Sequence, residues 1–250
     1  MAYTPTEPRF APALVKERIE TAKKTLSDYE ESSGRRIKLL VVTKTVPVEV
    51  INYAIDELGI DAIGENRVQE LLEKFDSLHS PAGKKLEIHL IGSLQTNKVK
   101  YIADKVDMIE SLDSEKLAAE IDKHCKKLGR TMDVLIEVNI GREPQKGGVM
   151  PEDLMSFVER LKDFPALRLR GLMTIAPVTD SDGYMKYFTE THRYFTEIKQ
   201  KLADKTDGNF FDTLSMGMSD SFPEAVRCGS NEVRLGSSLF GRRTYQINNV

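Results

Sequence analysis

Residues 37–45 read Ile37-Lys38-Leu39-Leu40-Val41-Val42-Thr43-Lys44-Thr45, an apolar and β-branched run that ends in three polar residues. A nearly continuous apolar run of this length is typical of a parallel strand that is buried on both faces. Pro47 then stands where a helix can begin, and apolar residues at helical spacing continue to Leu58, before Gly59. The stretch therefore predicts one buried strand followed by one helix.

The same unit recurs along the whole chain. The predicted strands are 37–42, 61–64, 86–91, 106–109, 134–140, 167–173, 213–216 and 232–235. The predicted helices are 14–29, 48–58, 68–78, 97–103, 114–128, 151–163, 183–203 and 219–226. Strands that alternate with helices in this number predict a closed (β/α)8 (TIM) barrel. An open nucleotide-binding sheet is disfavoured, because the sequence contains neither GxGxxG nor GxxxxGK[ST].

We expect one domain over residues 1–250, with an extra N-terminal helix at 14–29 and a flexible segment at 1–12. This length suits a single α/β barrel. A formal net charge of -3 offers no attraction to polyanions, so we expect no nucleic-acid partner. Neither a secretory signal nor a membrane-spanning stretch is visible in the sequence, and we expect no membrane partner.

The cysteines and histidines indicate a reducing, cytoplasmic setting without a metal site. Cys125 and Cys228 are far apart and form no CxxC pair, which argues against a disulfide framework and a zinc site. His124 is adjacent to Cys125, but neighbouring residues on a helix do not face each other. We therefore predict no metal ligands.

Chemistry in such a barrel is found at the C-terminal ends of the strands, and Lys44 ends the first one. Because the other residues of that strand are apolar, we expect the amine near the barrel axis, partly desolvated. Desolvation lowers the pKa of an amine and favours the neutral form that attacks a carbonyl. The alternative is a lysine that reaches solvent or pairs with a carboxylate such as Glu65.

Small residues follow the seventh and eighth strands, where barrels often bind phosphate through backbone N–H groups and a helix N-terminus. These residues are Ser215, Gly217, Ser219, Gly236, Ser237 and Ser238. The alternative is that they serve only tight turns and helix capping, as Ser219 before Asp220 could.

Arg234 lies near the end of the last strand, where a buried guanidinium needs an acceptor. That acceptor could be a phosphate, a carboxylate or a ring nitrogen of a ligand, or a structural partner such as Glu232 or Glu137. A lysine, a phosphate site and an arginine at one mouth indicate an aldehyde-bearing phosphate ligand. Class I aldolase substrates and pyridoxal 5'-phosphate (PLP) both fit that description.

Several long motifs resemble the pyridoxal phosphate homeostasis protein family, in order from the first strand to the last. They are Val42-Thr43-Lys44-Thr45, Gly64-Glu65-Asn66, the run from His89 to Lys98, Gly171-Leu172-Met173-Thr174, the run from Leu214 to Ser219, and the run from Val233 to Gly241. The resemblance implies a PLP fold type III barrel like the alanine racemase N-terminal domain. It also implies that PLP is held as a Schiff base on Lys44.

The resemblance further implies roles for the other residues at the mouth. Ser215, the backbone of Met216, Gly236 and Ser237 should hold the phosphate, and Arg234 should face the pyridine nitrogen. A permanent cation at that nitrogen discourages its protonation and weakens the ring as an electron sink. Asn66 is implied to border the ring, and His89 either packs near the ring or fills the barrel.

The family resemblance implies a PLP-binding protein in intracellular PLP homeostasis and delivery, with effects on amino-acid and keto-acid pools. Transient contact with PLP-dependent apo-enzymes is implied. Alanine racemases take a second acid/base tyrosine from an added β-domain; this chain ends at Val250, so we expect no such base and a monomer. The alternatives are a weak amino-acid racemase or other fold-type III enzyme, and a class I aldolase. Lys146, in a loop after the fifth strand, could take the aldehyde transiently.

Overall fold

A closed parallel barrel forms the centre of the protein, as a computed structural model that describes residues 3–203 and 210–242 shows. Each strand in the described chain pairs in parallel with the next, and the last pairs with the first. The strands are β1 (Lys38–Val42), β2 (Ala62–Glu65), β3 (Glu87–Leu90), β4 (Met108–Leu112), β5 (Met132–Val138), β6 (Leu167–Thr174), β7 (Thr213–Met218) and β8 (Glu232–Leu235). The predicted (β/α)8 barrel is confirmed.

Helices surround this barrel. They are α1 (Pro12–Ser33), α2 (Val48–Asp56), α3 (Val68–Phe75), α4 (Val99–Ile102), α5 (Glu115–Leu128), α6 (Leu154–Arg160), α7 (Ser181–Ala203), α8 (Phe222–Arg227) and α9 (Ser237–Phe240). The extra N-terminal helix is α1, which ends at Gly34 in the left-handed conformation, with φ of 65°. Within the described residues, no helix combines the length and apolar character needed to cross a bilayer.

The segment before α1 contains a 3-10 turn at Pro8–Phe10. The Phe10 side chain is fully buried against the core. The Tyr3 hydroxyl donates to the Phe10 carbonyl. Residues 1 and 2 lie outside the described residues, and flexibility at the start of the chain stays a prediction.

Several element boundaries differ from the sequence prediction, and two of the differences have a clear physical reason. The fourth strand was predicted at 106–109 but is Met108–Leu112, so it includes Glu110 and Ser111, which the apolar pattern had excluded. The last long helix was predicted from 219 but begins at Phe222, because Pro223 has no N–H and fits only the first turn of a helix.

The side chains on the outer face of the barrel strands are mainly apolar, whereas those on the inner face include many polar residues. A large apolar core lies between the strands and the helices. Inside the barrel, the apolar residues of the described part of the chain form two small clusters, which are Leu40, Val42, Ala62 and Ile91, and Met108, Leu135 and Met173. Paired residues on neighbouring strands share a face, as do residues two apart on one strand. These rules identify the polar residues that share the interior face, which include Lys38, Glu87, His89, Glu110, Asp133, Glu137, Ser215, Glu232 and Arg234.

Candidate functional site

The loops after β1, β2 and β8 meet at one edge of the barrel mouth, because these three strands are neighbours. A cavity of about 70 Å³ at this edge is lined by Lys44, Thr45, Gly236 and Ser237, together with side chains from the N-terminal segment and α9. The structure therefore brings together the predicted lysine and two of the predicted phosphate-binding residues.

Lys44 itself differs from the sequence expectation. β1 ends at Val42, Thr43 is buried, and the chain then turns, so that Lys44 is exposed. Thr45 completes the turn with φ of 60°, in the left-handed region. The residue as a whole is therefore exposed where the turn leaves β1, and partial desolvation of its amine stays a prediction.

The turn that carries Lys44 is fixed from β2 and α3. The Thr43 hydroxyl donates to Glu65 Oε1 at 2.7 Å, and Lys74 Nζ donates to the Thr43 carbonyl at 2.9 Å. The backbone N–H of Thr45 donates to Glu70. Lys74 also pairs with Glu65 at 3.0 Å and with Glu70 at 2.6 Å. Burial raises the pKa of Glu65, and the charge of Lys74 opposes that rise. Lys74 therefore binds the carboxylates of Glu65 and Glu70 and also the backbone of the turn.

Replacing Lys74 by methionine is expected to lower the free energy of unfolding by about 2 kcal/mol, since hydrogen bonds to charged groups are lost. We also expect Lys44 to react more slowly with aldehydes, because the turn loses the hydrogen bond between the Thr43 carbonyl and Lys74 of α3. Urea denaturation and the rate of adduct formation measure both effects. Lys24→Met, which removes an exposed lysine paired with Asp28, is the control. Equal effects of the two substitutions would contradict this role for Lys74.

Asn66 follows β2 and is partly buried. Its Oδ1 atom is buried and has no hydrogen-bond partner among the described residues. A Cβ atom at Gly92 would lie 2.2 Å from the Asn66 carbonyl oxygen, so only glycine fits there. The backbone after β3 therefore supports the loop that presents Asn66.

Arg234 faces the barrel interior and is only 3 % exposed. It donates to Ser215 Oγ at 2.6 Å and to the Thr174 carbonyl at 2.8 Å, and its Nη1 lies 3.9 Å from Glu110 Oε2. The sequence alternatives for a structural partner were Glu232 and Glu137, but the residues found around the guanidinium are Ser215, Thr174 and Glu110.

Ser215 and Met216, predicted to help hold the phosphate, are both fully buried in β7. The Ser215 hydroxyl donates to Glu110 Oε2 at 2.7 Å and accepts from Arg234, so it is already engaged inside the barrel. The contact of these two residues with a phosphate stays a prediction, and it now depends on the backbone rather than on the hydroxyl.

Ser219 joins the loops after β7 and β8. Its hydroxyl oxygen accepts from the N–H groups of Gly236 at 3.4 Å and Ser238 at 3.1 Å. A Cβ atom at Gly236 would lie 3.2 Å from the Val42 Cβ, a tight approach that glycine relieves. Ser237 is exposed beside these groups, so a small polar surface with two N–H groups lies next to Lys44.

A buried charged cluster below the mouth was not predicted from the sequence. It consists of His89, Glu110 and Glu232, each fully or almost fully buried. Burial opposes the charge on His89, but Glu232, Glu110 and Glu87 raise its pKa to about 9. Burial and the nearby Glu110 carboxylate raise the pKa of Glu232 to about 7. The three groups are close enough to share a metal ion, yet a protonated imidazole cannot be a ligand.

Glu137 on β5 is a second acidic group that the sequence analysis did not single out for function. Burial and the Asp113 carboxylate raise its pKa to about 7, and Arg234 opposes that rise. Lys146, in the loop that follows, is exposed and forms an ion pair with Glu143.

Comparison with known proteins places the whole barrel in one family. The sequence profile of the alanine racemase N-terminal domain matches residues 19–244. A curated pyridoxal phosphate homeostasis protein from Aquifex aeolicus is 41% identical over 235 residues, which cover 92% of this chain and 98% of that protein. Its counterpart from Pasteurella multocida is 40% identical over 210 residues, covering 84% of this chain and 88% of that protein.

Solved structures agree with these sequence matches. A protein of unknown function from Bifidobacterium adolescentis has a TM-score of 0.84 at 30% identity, covering 95% of this chain and 98% of its own. PipY of Synechococcus elongatus, solved with PLP bound, has a TM-score of 0.78 at 30% identity, covering 91% of this chain and 100% of its own. The chain therefore belongs to the alanine racemase N-terminal domain family and, within it, to the pyridoxal phosphate homeostasis proteins.

Proposed function

We propose that this protein binds PLP covalently through Lys44 at the barrel mouth and acts in cytoplasmic PLP homeostasis and delivery. The observation that carries the proposal is the cavity that Lys44 shares with Gly236 and Ser237, because it brings a lysine next to two of the residues implied to hold a phosphate. The names of the curated relatives and the PLP bound to PipY support the same ligand.

The residues at the mouth fit PLP in three respects. Lys44 is an exposed residue beside the mouth cavity, on the side from which a ligand enters. The N–H groups of Gly236 and Ser238 converge on the Ser219 hydroxyl oxygen, so two backbone donors at this edge point to one position, as a phosphate site requires. The buried Oδ1 of Asn66 needs a donor that no described residue supplies. This set is expected of a site for an aldehyde-bearing aromatic phosphate.

Each residue then has a distinct task. Bound PLP supplies an aldehyde that bonds reversibly to amines and a ring that can accept electrons. We assign Lys44 as the attachment point, Gly236 and Ser237 as phosphate donors, and Asn66 as a neighbour of the ring. Ser215 and the Met216 backbone complete the β7 side of the site. Arg234 would direct its guanidinium to the pyridine nitrogen and, as a permanent cation, keep protons away from it.

Two features support storage and delivery rather than robust turnover. Lys44 is at an exposed rim, where an incoming amine of a recipient enzyme can reach the same carbon. A positively charged partner at the ring nitrogen weakens carbanion stabilisation, which amino-acid chemistry on PLP requires. We therefore propose a carrier that meets PLP-dependent apo-enzymes transiently, and we propose separately that it is a monomer.

A weak racemase is the second candidate, and Glu137 is the observation that favours it. β5 lies across the eight-stranded barrel from β1, and Glu137 faces the interior near the mouth. A carboxyl with a pKa of about 7 can give or take a proton at neutral pH. Exchange of the α-proton of L-alanine in deuterium oxide, lost in Glu137→Gln, would support the racemase and argue against the carrier.

Borohydride reduction of the PLP-loaded protein, followed by peptide mapping, tests the principal proposal. We expect the cofactor mass on Lys44 as the main adduct. A main adduct on Lys146, or no adduct at a stoichiometric PLP concentration, would overturn it. A colourless protein that instead traps a sugar phosphate under borohydride would indicate an aldolase.

A further inference from the structure

Five interior residues form an unbroken line of hydrogen bonds from the basal end of the barrel to the mouth. We call this line, which comprises Glu87, His89, Glu110, Ser215 and Arg234, the interior chain. His89 Nε2 lies 2.8 Å from Glu87 Oε1, and His89 Nδ1 lies 2.6 Å from Glu110 Oε1. Ser215 Oγ then bridges Glu110 Oε2 at 2.7 Å and Arg234 Nη1 at 2.6 Å.

Charges alternate along the interior chain. Burial opposes ionisation of both Glu87 and Glu110, but hydrogen bonds and charge from His89 lower the pKa of each, that of Glu87 to about 2. His89 is a cation at neutral pH because its pKa is about 9. His89 is therefore a cation between two carboxylates, and Glu110 has His89 on one side and, across Ser215, Arg234 on the other.

The hydroxyl of Ser215 has a fixed polarity in this arrangement. A guanidinium can only donate and an ionised carboxylate can only accept, so the Ser215 proton points away from Arg234 and towards a carboxylate, of which Glu110 Oε2 lies at 2.7 Å. The Ser215 oxygen then has a lone pair aimed at Arg234. Glu110 thus orients the acceptor that holds the guanidinium and also lies close enough to offset part of its charge.

We propose that Glu110 is the positioning residue for Arg234 and that it acts through Ser215. The interior chain would thereby set the position of the Arg234 guanidinium relative to the ring nitrogen of a bound pyridoxal ring. The inference rests on the proposed function, since it presumes that a pyridoxal ring occupies the mouth. It differs from the sequence expectation for Ser215, because here the hydroxyl serves the ring side of the ligand and not the phosphate side.

Paired titrations with PLP and with pyridoxal, which lacks the phosphate, separate these roles. Both ligands carry the aldehyde and the ring nitrogen, so loss of Arg234 positioning must weaken both. We expect Glu110→Gln and Ser215→Ala to raise the apparent dissociation constants of PLP and pyridoxal by the same factor, about tenfold, as the loss of one hydrogen bond to a charged group predicts. Absorbance of the Lys44 adduct reports each titration.

Asp133→Asn is the matched control. Asp133 is also a carboxylate at the inner face of the barrel, but it pairs with Arg168 and Arg170 at the basal end, away from Arg234. It is expected to lower thermal stability while leaving both dissociation constants unchanged. Because Ser215→Ala removes one buried oxygen and no charge, it keeps the test decisive if Glu110→Gln does not fold.

The outcomes are distinguishable. Weakening of PLP alone in Ser215→Ala would show a phosphate contact and overturn the inference, as would unchanged affinity for both ligands. Equal weakening in Asp133→Asn would reduce the effect to general stability and overturn it as well. A wild-type protein that takes up neither ligand would overturn the proposed function first, before any variant is compared.

Discussion

Replacing Lys44 by alanine is expected to abolish covalent uptake of PLP and the visible absorbance that accompanies it. Among the described residues that line the mouth cavity with Gly236 and Ser237, Lys44 is the one lysine, so no other described side chain there can replace it as the attached amine. Difference absorbance at saturating PLP and intact mass after borohydride reduction measure the loss. Retention of a stoichiometric, reducible adduct in the variant would contradict the assignment.

Lys44→Arg is the informative partner of this substitution. The guanidinium keeps the positive charge at the rim but cannot be deprotonated in a protein, so it cannot form the bond to the aldehyde. We expect Lys44→Arg to bind the phosphate group without any covalent adduct, whereas Lys146→Ala keeps the adduct of the unsubstituted protein. An arginine variant with wild-type absorbance would place the attachment on another lysine.

The barrel could be predicted because each strand buries both faces. The run from Ile37 to Val42 shows its strand character without knowledge of its neighbours, since burial on both faces removes the polar alternation that would otherwise obscure it. The same reasoning failed at β4. There Glu110 interrupts the apolar pattern, and the prediction ended the strand at residue 109 although the strand continues to Leu112.

The site could be predicted only in part for the same reason. A pattern of residue types places Lys44, Gly236 and Ser237 at the ends of neighbouring strands, and the cavity confirms that they meet. The pattern cannot show that the chain turns before Lys44 and leaves it exposed. Nor can it pair Ser215 with Glu110, which is 105 residues earlier in the chain, because such a contact depends on the closure of the barrel.

The stability of the protein is expected to fall as the pH rises from about 5 to above 9, and His89 is the main cause. The pKa of His89 is raised from 6.5 to about 9, so the folded state binds this proton more tightly than the unfolded chain does. The resulting stabilisation is complete below pH 6.5 and is lost as the pH passes 9. A rise of this size corresponds to a few kcal/mol.

Two acidic groups also lower the free energy of unfolding as the pH rises, but they do so in a lower pH range than His89. The pKa values of Glu232 and Glu137 are raised from 4.5 to about 7, chiefly by burial, so ionising these groups costs stability between pH 4.5 and 7. Glu87 acts oppositely, because its pKa is lowered to about 2 and its contribution is lost only as the pH falls below 4.5. The free energy of unfolding should therefore be highest near pH 5, and urea denaturation at pH 5, 7 and 9 measures it.

In His89→Gln, the free energy of unfolding is expected no longer to fall between pH 6.5 and 9. At pH 7 it is expected to be lower by about 3–5 kcal/mol, since the substitution leaves the buried Glu110 charge without its cation. His79→Gln, at an exposed histidine that pairs with Asp56, is the matched control and should leave the pH profile intact. If the free energy of unfolding of His89→Gln still falls between pH 6.5 and 9 as in the wild type, His89 is not the group that carries the proton. The charges assigned to the interior chain would then be wrong. If the fall disappears, the same proton that stabilises the fold also keeps Glu110 ionised, and the stability of the barrel and the placement of Arg234 depend on one buried imidazole.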